Sequence, residues 1–142
     1  MDEFVFRQML DEVSARSCPF AKTILTRGAG CSLSVKCNIA ERELVVCNNQ
    51  KSHERCVEFR DLLRSNFTFA LGQLHIDGPL PHAKEMRMQC GGLIGLRFVL
   101  DGSDEIADID ELLMLAQQKF GELTDYPCSQ IVRFANAHYK PR

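Results

Sequence analysis

The sequence predicts a mostly α fold: a single helical domain over residues 1–142, with room for one small β-hairpin in the cysteine-rich segment 18–56. Three observations carry this. Apolar residues recur at helical spacing in several separate stretches, and only one stretch alternates with the period of a strand. The chain has 142 residues, 45% hydrophobic and 25% charged, the balance of one ordinary globular domain. No internal repeat or low-complexity segment interrupts it.

Residues 2–16 place Phe4, Phe6, Met9, Leu10 and Val13 near helical spacing, with Asp2 and Glu3 where a helix dipole favours acids. Ser17-Cys18-Pro19 breaks that helix and starts another over Phe20–Arg27, stopped by Gly28-Ala29-Gly30. Leu33, Val35, Cys37 and Ile39 then alternate with Ser32, Ser34, Lys36 and Asn38, a strand pattern that Leu44–Cys47 can partner. Ala40–Glu43 between them has helical propensity, so a hairpin and an irregular helical loop compete. Ser52 is expected to cap a helix whose apolar face is Val57, Phe59, Leu62 and Leu63, with a kink at Ser65-Asn66 before Phe67, Phe69, Leu71 and Leu74. Asp77–Pro81 reads as a loop. From Met86 to Phe98, Met86, Met88 and Cys90 alternate before Gly91-Gly92, so helix and strand compete; a helix is favoured, with the glycines serving close packing. Asp101–Asp104 is a turn. Asp108, Asp110 and Glu111 open a helix ending at Gly121, and Pro127 opens the last one.

The cysteines are the chemically informative feature. Seven occur, and Cys18, Cys31, Cys37, Cys47 and Cys56 crowd into one segment, with Cys90 and Cys128 far downstream. The N-terminal Met1–Arg7 is acidic and lacks an apolar core of the kind a signal peptide needs. No apolar run approaches the length of a membrane helix, so no membrane association is expected. A cytoplasmic setting disfavours a disulfide framework and leaves reduced thiols to explain. The formal net charge of −2 supplies no field for nucleic acid. The charge is uneven, with nine Lys/Arg against five Asp/Glu from Arg16 to Arg64, and six acids without a base from Asp101 to Glu111.

No Cys-x2-Cys pair occurs, which departs from zinc knuckles and from ferredoxin runs. A metal site would have to be assembled by the fold. The five cysteines 18, 31, 37, 47 and 56 are the candidate ligands of an iron–sulfur cluster, with Cys31, Cys37, Cys47 and Cys56 the first choice and Cys18 the competitor. Lys36, Arg42, Arg55 and Arg60 would offset the thiolate charge and draw an acidic redox partner protein. Zinc is the alternative metal, including a Cys3His set of Cys37, Cys47, Cys56 and His53, since His53 and Cys56 share a helix face at i, i+3. The competing reading is a helical protein-interaction module whose cysteines are core filler or hold a structural zinc. No phosphate loop, nucleophile elbow or metalloprotease motif is present. An enzyme using Cys18 or Cys90 as nucleophile lacks a histidine partner and ranks last.

Overall fold

The computed structural model describes residues 15–39, 41–70 and 80–140. Helices dominate, with one small antiparallel hairpin. The order is α1 (Ala21–Leu25), β1 (Ser34–Ile39), β2 (Arg42–Cys47), α2 (Gln50–Ala70), α3 (His82–Met86), a π-helical turn (Arg87–Gly91), α4 (Gly92–Asp101), α5 (Ile109–Phe120), a 3-10 turn (Leu123–Asp125) and α6 (Cys128–His138). All but the last two residues of the expected helix over 2–16, and most of the Asp77–Pro81 loop, lie outside the described residues.

The hairpin prevails over the helical loop. Alternating β-branched residues pair in register, with Val35 opposite Val46 and Cys37 opposite Leu44. Glu41 takes up a positive φ of 68° beside the reversal. Helix α2 departs from expectation at its start and in its middle. Its start is capped by Asn49, whose Oδ1 accepts from Ser52 N at 3.0 Å, so Ser52 lies inside the helix and is buried. The expected break at Ser65-Asn66 does not interrupt the helix, which runs on to Ala70, and Asn66 Nδ2 donates back to Leu62 O at 2.8 Å. Asp108 caps α5 as its acidic approach predicts, accepting from Asp110 N at 3.1 Å.

The core forms where α2, α4, α5 and α6 meet. Phe59 of α2 sits between Phe20 and Tyr126, with ring centroids at 6.3 and 6.1 Å. Leu93, Leu96, Leu112, Ala116 and Ile131 fill the layer beside it, each fully buried. The glycines of the π turn and α4 serve packing, as the sequence suggests for Gly91 and Gly92. A Cβ on Gly95 would lie 2.6 Å from Ile131 O, so α4 and α6 approach closely only because Gly95 has no side chain. One buried polar tie joins α1 to the π turn. Gln89 Oε1 accepts from Thr23 Oγ1 at 3.2 Å, and Gln89 Nε2 donates to Glu85 at 2.8 Å.

Candidate functional site

Backbone pairing brings the cysteine segment together. Residues 16–18 lie alongside β2, with Cys18 N donating to Val45 O and Cys47 N to Arg16 O, both at 2.9 Å. Ser17 bridges to Val46 in the same manner. This short third strand fixes Cys18 near Cys47, at the end of β2. The loop after α1 is clamped onto the start of α5. Ile109 N donates to Gly30 O at 2.8 Å, and Ser32 N donates to Asp108 Oδ1 at 3.0 Å. Gly30 is required for this approach, since a Cβ there would lie 2.9 Å from Ala107 O. Cys31 is thereby held against the first turn of α5. Cys56 projects into the core from α2 and is buried.

These four thiols line one small cavity of ≈10 Å³, together with His53 and Asp110. Cys18, Cys31, Cys47 and Cys56 therefore come to one place from four separate segments: the run before α1, the loop after it, the end of β2, and α2. Cys37 does not join them. Side chains alternate across a strand, and Cys37 pairs with Leu44 while Cys47 pairs with Ser34. An odd step separates Cys37 from Ser34, so it projects from the opposite face of the hairpin. The first-choice set of Cys31, Cys37, Cys47 and Cys56 is thus corrected in favour of Cys18. The Cys3His set containing Cys37 goes with it. His53 borders the cavity, but its Nε2 lies 3.0 Å from Ser17 O, which can only accept, so that nitrogen carries a proton.

All seven cysteines are free thiols. Burial pushes the Cys18 thiol up to about 11, with Cys31 and Cys47 adding to the rise and a hydrogen bond from the Phe20 backbone opposing it. Burial also raises Cys56, reinforced by Cys18, Cys31, Cys47 and Asp110. Cys31 is raised by burial and by Asp108 and Asp110, against hydrogen bonds from the Leu33 and Asp110 backbones. Cys47 Sγ donates to Asn49 O at 3.2 Å. Cys18, Cys31 and Cys56 are accordingly held in the protonated form unless a cation intervenes.

The carboxylates beside them escaped the sequence reading. Burial acts to raise Asp108, but hydrogen bonds from Ser32, Asp110 and Glu111 outweigh it and hold its carboxyl below the usual value. Asp110 Oδ1 is buried without a hydrogen-bond partner and forms an ion pair with Arg55 Nη1 at 3.7 Å. The carboxylate adds negative charge beside the converging thiols. Four sulfur donors suit zinc or iron–sulfur chemistry, so the residues fit such a group. Among the described residues, no group of three or more His, Cys, Asp or Glu is already arranged to hold a metal ion. The thiols border a common space without being drawn into ligation geometry. The signal that could have found Asp110 is the acidic run 101–111, which was read only as a helix start.

Two further cysteines stand apart. Cys90 is buried on the π turn, and a Cβ on Gly28 would lie 3.0 Å from its Sγ. Cys128 opens α6, half-buried, its thiol raised by that burial. No helix among the described residues is long and apolar enough to cross a membrane. No protein-family model, curated protein or solved structure matches the chain.

Proposed function

We propose that the chain is a small cytosolic iron–sulfur protein serving electron transfer or redox sensing, its cluster held by Cys18, Cys31, Cys47 and Cys56. The observation that carries this is the convergence of those four thiols on one cavity. The backbone groups of Phe20, Leu33 and Asp110 that hydrogen-bond to Cys18 and Cys31 supply the kind of contact that tunes cluster sulfurs. The ligands are scattered over four segments rather than paired in knuckles, which favours a cluster over a structural zinc. Cys18 and His53 also border an outer cleft of ≈430 Å³ with Arg60 and Arg64, Glu85 being its one acid. An acidic redox partner would approach there, beside Cys18.

One observation favours a second reading. A cavity of ≈10 Å³ has room for about one water-sized sphere. A single zinc ion needs less movement of the four side chains than a cluster does. In that reading the protein is a helical interaction module with a structural zinc. Anaerobic purification followed by iron, sulfide and zinc analysis with an absorption spectrum separates the two. Stoichiometric iron and sulfide, lost on Cys18→Ser or Cys56→Ser and kept on Cys37→Ser, is the expected result. Zinc alone selects the second reading, and a colourless protein free of both metals rejects the metal centre.

A further inference from the structure

A second cavity, of ≈520 Å³ and sharing no lining residue with the thiol cavity, lies between α3, the π turn, α4 and the end of α6. Its size falls in the range of small-molecule sites. Its wall is apolar, formed by Met86, Ile94 and Cys90. Its rim carries His82, His138 and Lys140. Imidazole N–H groups and the ammonium are hydrogen-bond donors, and among the described residues Asp104 is the one carboxylate lining the cavity. Tyr139 adds a hydroxyl. The donors outnumber the acid, so the site favours an acceptor-rich head attached to an apolar body.

Two features of the backbone shape one wall of this cavity. The turn Arg87–Gly91 is π-helical, a widened geometry that is rare and recurs at functional sites. It sets Cys90 on the cavity wall. Gly28 packs directly against Cys90, since a Cβ there would come within 3.0 Å of Cys90 Sγ and 3.3 Å of Thr23 Cγ2.

We propose that this cavity is a binding site for a small organic monoanion, a short apolar chain or ring bearing one carboxylate. The carboxylate meets Lys140 and the two histidines at the rim, and the apolar body lies along Met86 and Ile94. The proposal is independent of the metal centre. The probe is octanoate, titrated into the full-length protein by calorimetry, with octylammonium as the same body carrying the opposite charge. Octanoate should bind saturably, and octylammonium at least about tenfold more weakly. Ala83→Glu, an exposed lining residue whose replacement adds a carboxylate without disturbing the core, should weaken octanoate by about tenfold or more. His82→Gln combined with Lys140→Gln should weaken it similarly, with unchanged thermal unfolding. Cys31→Ser, in the thiol cavity, should leave octanoate binding unchanged whatever it does to metal content. Absence of saturable octanoate binding, equal binding of octylammonium, or indifference to Ala83→Glu and the double variant overturns the assignment.

Discussion

The protonated state of Cys18, Cys31 and Cys56 would make uptake of the proposed metal steeply dependent on pH. Metal ligands must be thiolates. Cys18 is held at about 11, so at pH 7, four units lower, only about one molecule in ten thousand carries its thiolate. Cys31 and Cys56 are raised as well. Binding by the four-cysteine set at neutral pH must therefore expel at least three protons. The sign follows directly: protons compete with metal, so affinity rises with pH. Each unit of acidification should weaken the apparent affinity by about a thousandfold, a tenfold factor for each of three protons. The assay is competition for Zn2+ between the reduced, metal-free protein and a chromophoric chelator from pH 6.5 to 7.5 (~1 unit, within which these groups stay protonated in the free protein), corrected for the chelator's own protonation. Proton release in weak buffer gives an independent count. A dependence of tenfold or less per unit, or release of a single proton, would refute the convergence of these thiols on one ion.

The remaining predictions concern stability and the choice of ligands. Cys37→Ser should leave metal stoichiometry unchanged and shift the denaturation midpoint little, because Cys37 projects away from the cavity; a loss of metal equal to that of Cys47→Ser would contradict the strand register. Gly95→Ala should destabilise by about 1–2 kcal/mol in urea unfolding, overpacking outweighing the gain in helix propensity, since the new Cβ meets Ile131 O, a backbone atom. Gly92→Ala should lose less, because its Cβ meets the movable end of Leu63. The reduced, metal-free protein should weaken in alkali. Thiols raised in the folded state keep their protons while the unfolded chain releases them near the ordinary value of 9.0, so stability is complete below about pH 9 and falls as pH climbs toward 11. Urea midpoints at these two limits test this, and an unchanged midpoint would mean that the thiols ionise alike in both states.

Much of the fold was legible because local patterns and tertiary packing agree. The acids before Leu112 and Leu113 foretell both the Asp108 cap and the buried face of α5. Alternation from Leu33 to Ile39 foretells β1, and the glycines at 91 and 92 foretell close packing. Other features lay beyond such patterns. Asn49 displaced Ser52 as the cap of α2 because both residues suit the role and only the path of the chain leaving β2 chooses between them. The π turn has no distinct hydrophobic period to announce it.

For the candidate site the division is sharper. The sequence by itself determined that the thiols are numerous, that most of them crowd into one segment, and that any centre must be built without knuckles. Only the tertiary structure decided which of them meet. Cys37 and Cys47 look alike in an apolar periodic stretch, yet strand parity sends them to opposite faces of the hairpin. Cys18, from outside that stretch, is carried in by pairing of residues 16–18 with β2. Asp110 arrives from far down the chain because Gly30 lets the loop lie against Ala107. Spacing along a chain constrains neighbours within one element, whereas a site shared by four segments is set by hydrogen bonds and close contacts between residues distant in sequence.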